Sequence, residues 1–384
     1  MKVYFKNLDG IRFIAAFLVL LHHAFYFKHD YSPGIPFIND LFVDAGRIGV
    51  NLFFILSGFL ISYLLFVEKD STGDISYKNF YIRRILRIWP LYLGYGILVT
   101  FIGPLVGHWL GGKEMLGLDT MLINLIFLVF FAINFQLAFM NSSDGVFQIS
   151  WSVCIEEQFY LIWPLIVNKF RKSLVSVFIA LFLIRTAIRI LIVLLPHFTP
   201  LTYERLLEMN YVLIFDKLDL FGGGMLFALL YYKRDQYASL MKKILRPAVQ
   251  YLMLGLAVLY ALGVIRLPKE IHYYLDHVIC IVLFGYTMIA AVAEQSVLRL
   301  ETPLLRTLGK ISYGIYLFHT AICQVLIILF MRFVKQPDSF LIYDIIYPLV
   351  CSVLTFVLSY YSYEYFEKIF LRRKNNYAVV ATRV

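Results

Sequence analysis

Residues 11–27 read IRFIAAFLVLLHHAFYF and carry Arg12 and His23 inside an otherwise apolar segment. Such a segment is typical of a membrane-spanning helix. Its two ionisable residues are 11 positions apart, which is close to three helical turns, so they share a helix face about 16 Å apart along the axis. Because charged groups are costly in a membrane helix, they usually mark a site or a pathway. The alternative is that Arg12 extends to the lipid headgroups and that His23 is a hydrogen-bonded core residue.

The composition of the chain supports a membrane protein. Of its 384 residues, 61% are hydrophobic and 16% are charged, whereas a soluble domain carries about 25% charged residues. Residues 11–27 lack a small-residue cleavage site, so we expect them to remain as a first span. The net charge of +10 is expected to reflect orientation in the membrane, and no nucleic-acid partner is expected. The cysteines lack metal-site spacing, so neither a metal site nor a disulfide framework is expected: Cys154, Cys280, Cys323 and Cys351.

Apolar segments and basic clusters together predict the topology. The segments of spanning length are 11–28, 46–67, 88–107, 119–140, 149–168, 173–195, 211–231, 247–265, 274–293, 311–333 and 342–367. Basic residues cluster at 78–87, 169–172, 233–246, 299–310 and 368–374, and the positive-inside rule places all five clusters in the cytoplasm. An even number of crossings must then separate Arg87 from Lys169, but three of the apolar segments lie between these residues. We therefore expect the middle one, 119–140, to be re-entrant.

This topology predicts an all-α membrane protein of about ten spans with both termini cytoplasmic. Residues 1–374 would form a single transmembrane domain, and residues 375–384 a short cytoplasmic tail. No soluble domain is expected beside it. The expected location is the inner or plasma membrane.

Five stretches, in order along the chain, resemble the membrane acyltransferase-3 family. They are LDGIRFIAAFLVLLHH (8–23), GVNLFFILSGFLIS (49–62), FYIRRILRIWPLY (80–92), SWSVCIEEQFYLIWP (150–164) and LGKISYGIYLFHT (308–320). The resemblance covers almost the entire chain. It implies a single transmembrane acyltransferase domain that moves acyl groups from acyl-CoA to hydroxyl acceptors.

Three arginines at the start of the third span are candidates for binding acyl-CoA. Arg83, Arg84 and Arg87 are followed by Trp89, and Arg83 and Arg87 share a helix face by their i, i+4 spacing. Guanidinium groups bind phosphate bidentately and stack on aromatic rings, and coenzyme A carries three phosphates. The other interpretation is a positive-inside anchor.

His23 is the candidate general base. Transfer from a thioester to a hydroxyl needs a group that takes the hydroxyl proton, and imidazole suits this role. The family pattern Arg-x10-His corresponds to Arg12 and His23, whereas His22 points about 100° away and is expected to be structural. His319, in the ninth predicted span, could reach the same cavity or could be a core histidine bonded to a tyrosine.

The segment 150–164 is the candidate acceptor side of the site. Glu156 would be a catalytic carboxylate that orients an imidazole, or part of the acceptor wall. The remaining matches to the family pattern in this segment are Trp151, Ser152, Gln158 and Tyr160. The chain departs from the family at Asn51, where an acid is common, and at Cys154. Asn51 removes a possible negative partner for an arginine.

Buried charges in two neighbouring spans form a second candidate site. By depth, Arg189 is expected to pair with Asp216, and Arg185 with Asp219. This group, which includes Lys217, is either a structural network or an outward-facing acceptor site.

The expected function is O-acylation, with acetyl-CoA as the donor and a cell-surface or lipid-linked glycan as the acceptor among membrane lipids. The absence of an obvious activated serine favours direct transfer. One alternative is acylation of a small molecule or lipid. The other is a transporter or flippase for a lipid-linked sugar, although paired broken helices in two halves, typical of transporters, are not evident.

Overall fold

The computed structural model describes residues 2–29, 39, 41–111, 117–140, 148–334, 339–377 and 381–382. Its helices, numbered along the chain, are α1 (Leu8–His29), α2 (Ala45–Thr72), α3 (Tyr77–Gly111), α4 (Leu118–Val129), α5 (Ile133–Met140), α6 (Trp151–Lys169), α7 (Leu174–Leu194), α8 (Tyr203–Tyr211), α9 (Ile214–Tyr232), α10 (Ala238–Ile244), α11 (Pro247–Ala261), α12 (Lys269–Val292), α13 (Pro303–Lys310), α14 (Ser312–Phe333), α15 (Tyr347–Ser362) and α16 (Lys368–Lys374). The helical turns Leu341–Ile346 and Tyr363–Glu367 extend α15 on both sides, so that one helical segment runs over Leu341–Lys374. Three-residue turns occur at Gln148–Ser150, Leu195–His197 and Asn375–Tyr377.

The two strands of the described chain are short. Lys2–Val3 (β1) pairs in parallel with Ala381–Thr382 (β2), which brings the two ends of the chain together. The predicted all-α class is therefore confirmed.

Length and apolar composition support seven membrane-spanning helices in the described residues, or eight if α10 and α11, which are bent by 63°, form one span. This is fewer than the ten predicted. The difference lies in α6 and α9, which contain 19 residues each and are therefore about 28 Å long. Their length is close to the hydrocarbon thickness, but neither helix contains an 18-residue stretch that is both apolar enough and poor enough in charge to count as a span by composition.

The segment predicted to be re-entrant is a helical hairpin. Phe131, with a positive φ of 52°, lies at the break between α4 and α5. Gln136 Nε2 donates to Asn124 Oδ1 at 2.6 Å, although 12 residues of continuous helix would place these side chains about 18 Å apart. The two helices therefore fold back on each other, which agrees with a segment that does not cross the membrane.

The helix α2 lies at the centre of the bundle. Of its apolar window, 83% is buried, compared with 17% for α7. It packs closely on α9 because a glycine on each helix faces the backbone of the other. A Cβ on Gly58 would lie 2.2 Å from the Phe221 carbonyl oxygen, and one on Gly224 would lie 2.1 Å from the Ile55 carbonyl oxygen. Small residues allow such close approach between membrane helices. Residues of α2 line both the arginine chamber and the histidine vestibule described below.

Candidate active site

Two adjoining cavities, with open volumes of about 820 and about 750 Å³, share Arg12, Arg84 and Arg87 in their walls. We refer to them together as the arginine chamber. The helix α1 supplies Arg12, and α3 supplies Arg84 and Arg87, which are neighbours on its surface by their i, i+3 spacing. The first cavity is also lined by Ser57, Ser152, Glu156, Tyr160 and Tyr316. The second is also lined by Asp9, Lys310, Tyr363 and Lys374.

The chamber arginines are incompletely paired. Arg12 Nη1 lies 2.6 Å from Asp9 Oδ1. The Arg84 guanidinium lies 5.5 Å from the centre of the Tyr160 ring, and its buried Nε has no hydrogen-bond partner among the described residues. Arg87 has no ion pair with a described residue within the salt-bridge distance. Unpaired guanidinium groups around a cavity favour an anionic ligand.

Two of the predicted donor-binding residues lie outside this chamber. Arg83 Nη2 lies 3.3 Å from Glu68 Oε2, and its Nη1 donates to the Tyr377 carbonyl oxygen at 2.7 Å. Trp89 Nε1 donates to Glu157 Oε2 at 2.9 Å. The two side chains are occupied with structural partners and are absent from the lining of the chamber.

The predicted carboxylate, Glu156, faces the chamber and not a histidine. Its Oε1 accepts hydrogen bonds from Ser57 Oγ and from the Tyr160 hydroxyl. Nearby, Ser152 Oγ and the Tyr316 hydroxyl lie 2.5 Å apart, and Tyr316 also donates to the Ile149 carbonyl oxygen at 3.2 Å. Neither predicted role of Glu156 matches this arrangement as stated: it does not contact an imidazole, and the wall that it forms with Ser152 and Tyr160 belongs to the arginine chamber and not to the vestibule described next.

A third cavity, of about 1390 Å³, contains His23 in its wall. We refer to it as the histidine vestibule. Its other lining side chains include His22, Arg47, Gln148, Trp151, Arg205, Glu208 and Tyr211. Val50 of α2 lines both the vestibule and the chamber. Val50 therefore forms a wall that the two cavities share.

Two histidines from different helices meet beside this wall. His319, fully buried in α14, has Nε2 3.2 Å from Nδ1 of His23. The Nδ1 of His319 lies 3.1 Å from the Ile315 carbonyl oxygen, and the Nδ1 of His23 lies 2.9 Å from the Val19 carbonyl oxygen. Carbonyl oxygens only accept hydrogen bonds, so in the neutral pair both Nδ1 atoms carry a proton. His319 Nε2 is then an acceptor, and His23 Nε2 has a free lone pair.

The predicted pairing of buried charges is confirmed. Arg189 Nη2 lies 2.9 Å from Asp216 Oδ1, and Arg185 Nε lies 3.6 Å from Asp219 Oδ2. Lys217 Nζ lies 2.7 Å from Asp216 Oδ2. None of these five side chains lines the chamber or the vestibule.

The network reaches the vestibule through aromatic rings. Lys217 Nζ lies 4.1 Å from the centre of the Tyr211 ring and 5.8 Å from that of Trp151, and both rings line the vestibule. His277, which the sequence analysis did not select, adds a contact of 2.9 Å from its Nδ1 to Asp219 Oδ1. Lys217 and Asp219 therefore support the vestibule wall from behind.

At Asn51, where the family commonly has an acidic residue, another helix supplies the negative charge. Asp276 of α12 forms an ion pair with Arg47, and Asn51 Nδ2 lies 3.5 Å from Asp276 Oδ2. Asp276 thus supplies the negative partner that Asn51 lacks. In sequence it lies far from the second-span motif, so no local signal identified it.

Lys310 and Lys374 are two further site residues that the sequence did not indicate. Both occur in basic clusters that the positive-inside rule explains, and only the fold brings them to the chamber. Among the described residues, no group of three or more His, Cys, Asp or Glu side chains is arranged to hold a metal ion.

Comparison with known proteins identifies the family. A predicted O-acetyltransferase of Staphylococcus aureus is 32% identical over 171 residues, which cover 42% of this chain and 24% of the relative. The peptidoglycan O-acetyltransferase OatA of Listeria monocytogenes is 30% identical over 179 residues, which cover 44% of this chain and 25% of the relative. The chain thus matches about a quarter of the length of these relatives. No solved structure matches significantly.

The family model of the acyltransferase domain matches residues 5–364, and so nearly the whole chain. This match includes Arg12, His23, the chamber arginines of α3 and His319. The chain is a multi-pass membrane protein that belongs to the acyltransferase-3 family.

Proposed function

We propose that this protein transfers an acetyl or other short acyl group from acyl-CoA to a hydroxyl of a cell-surface or lipid-linked glycan. The observation that carries the proposal is that a chamber of incompletely paired arginines shares Val50 with a vestibule containing a histidine with a free Nε2. Donor phosphates would bind Arg12, Arg84 and Arg87. The pantetheine arm would extend past Val50, so that the thioester meets the acceptor beside His23.

In this mechanism His23 Nε2 takes the proton from the acceptor hydroxyl, and the hydroxyl oxygen attacks the thioester carbonyl carbon. The tetrahedral intermediate then releases the thiolate of coenzyme A as the C–S bond breaks. The imidazolium of His23 returns its proton to the thiolate, which leaves as the thiol. No residue is acylated, because direct transfer needs no enzyme nucleophile.

The shape of the vestibule supports a glycan acceptor. Trp151 and Tyr211 have ring centres 5.1 Å apart, and Gln148, Arg205 and Glu208 provide polar groups in the same wall. Aromatic faces combined with a few polar groups are typical of a site that orients a small organic ligand. The Listeria relative carries the name peptidoglycan O-acetyltransferase, which favours a wall polysaccharide.

The test of the donor uses the purified full chain in detergent, with coenzyme A binding measured by calorimetry. Wild-type protein is expected to bind coenzyme A, and the double variant Arg84→Ala/Arg87→Ala is expected to bind it at least about 100-fold more weakly, because each charge-assisted hydrogen bond contributes about 1.5–3 kcal/mol. Affinity should also fall as salt concentration rises. Absence of binding by the wild type would refute the acyl-CoA donor.

Arg83→Ala is the comparison for this experiment. It removes one positive charge from the same helix, as each of the single variants Arg84→Ala and Arg87→Ala does, but Arg83 pairs with Glu68 outside the chamber. A smaller loss of affinity is therefore expected. An equal loss in Arg83→Ala would show that helix charge, and not the chamber, binds the donor.

His319 is proposed to act through His23 as a positioning residue. Its Nε2 accepts from Nδ1–H of His23, which holds the ring and stabilises the imidazolium that forms during transfer. His319→Leu is expected to lower kcat by about 10-fold or more with little change in the KM for acetyl-CoA. His319→Gln, whose carbonyl oxygen can also accept, should recover part of the rate. Equal losses in both variants would contradict this role.

A further inference from the structure

The last helix, α16, lies beyond residues 5–364, which the family model matches. Its final residue, Lys374, has 8% of its surface exposed and lines the second cavity of the arginine chamber. In contrast, its neighbours Arg372 and Arg373 are exposed. The helix thus directs one of three consecutive cations into the protein.

The electrostatics of this cavity are unbalanced. Five cationic side chains line it, and Asp9 is the acidic side chain among its lining residues: the cations are Arg12, Arg84, Arg87, Lys310 and Lys374. Asp9 already pairs with Arg12. Among the described residues, Lys374 has no carboxylate within ion-pair distance. Because several buried cations repel each other and lose hydration, such a cluster is stabilised when an anion binds between them.

The position of Lys374 is held by contacts on both sides. Before it, α16 forms the last part of the continuous helical segment Leu341–Lys374. After it, the Tyr377 carbonyl oxygen accepts a hydrogen bond from Arg83 Nη1 at 2.7 Å, and β2 pairs with β1 at the start of the chain. The backbone that carries Lys374 is therefore already held in place before a ligand binds, which lowers the cost of ordering it on binding.

We propose that Lys374 is a donor-binding residue that contacts a phosphate group at the nucleotide end of acyl-CoA. This inference rests on the proposed function and extends the anion site beyond the family-matched region. The first cavity lies next to the vestibule wall, so the thioester end points there and the phosphates occupy the second cavity. Lys310, which also lines this cavity, would contact the same end of the ligand.

The test uses the full-length purified protein with coenzyme A. Lys374→Gln keeps a polar, unbranched side chain that is one atom shorter but removes its charge. It is expected to raise the Kd for coenzyme A and the KM for acetyl-CoA about tenfold. The kcat should stay near that of wild type. Lys374→Arg should restore affinity, and Arg373→Gln, an equal charge change one residue away on the exposed surface, should leave it unchanged.

Two further readouts separate donor binding from a structural role. Without ligand, Lys374→Gln should melt at the same temperature as wild type or higher, because it removes a repelled cation, whereas the stabilisation by coenzyme A should be smaller. With S-acetylpantetheine, a donor without the nucleotide phosphates, Lys374→Gln and wild type should transfer at equal rates.

The inference is overturned if Lys374→Gln and Arg373→Gln bind coenzyme A equally well, or if Lys374→Gln lowers the melting temperature of the free protein. Either result leaves the proposed function intact as long as the wild type binds coenzyme A. Failure of the wild type to bind would instead refute the donor itself.

Discussion

Replacing His23 by alanine is expected to reduce acyl transfer by about 10²–10⁴-fold, which is the usual contribution of a general base. Coenzyme A affinity should stay nearly unchanged, because His23 lines the vestibule and not the arginine chamber. The measurement is transfer of label from radioactive acetyl-CoA to the wall glycan in membranes of the expressing host. Calorimetry on the purified variant gives the affinity.

His22→Ala is the matched control for this experiment. His22 lies on the same helix and also lines the vestibule, but its Nδ1 is 3.0 Å from the Phe42 carbonyl oxygen and it does not contact His319. Its removal should therefore cost much less activity. If His22→Ala lost transfer while His23→Ala kept it, the assignment of the base would be wrong.

Replacing Asp216 by alanine is expected to destabilise the protein by about 3–5 kcal/mol, the usual cost of breaking a buried ion pair from one side. The variant leaves the almost completely buried side chains of Arg189 and Lys217 without their carboxylate. The measurement is the thermal unfolding temperature of the purified protein in detergent. Activity should fall in parallel with the amount of folded protein.

Asp235→Ala provides the comparison, because it removes an equal charge from an exposed position just after α9. A surface change of this kind is usually within about 0.5 kcal/mol of neutral. Equal melting temperatures for Asp216→Ala and wild type would show that the network is not structural, and would favour the predicted alternative of an acceptor site.

Several features of the fold could be predicted because they depend on local pattern. Apolar length located the long helices, and the charge rule set apart 119–140, which folds as a helical hairpin. The pairs Arg189–Asp216 and Arg185–Asp219 followed from equal depth in adjacent antiparallel helices. Each of these predictions needs only position along a helix and the cost of burying charge.

The rotation of each helix was decided by tertiary packing. Arg83 is spaced from Arg87 by i, i+4 and Arg84 by i, i+3, and both spacings bring side chains together on a helix surface. Packing of α3 against its neighbours turns Arg84 toward the chamber and Arg83 toward Glu68. No pattern within the helix itself distinguishes the two.

Contacts between distant segments also required the folded chain. The sequence determined by itself that Arg12 and His23 share one membrane helix, since helical geometry sets their separation. The tertiary structure alone decided that His319, 296 residues further along, lies against His23, and that Lys374 enters the cavity beside Arg12. The physical reason is that periodicity within a helix specifies which face is buried, whereas the partner of that face depends on how all the helices pack together.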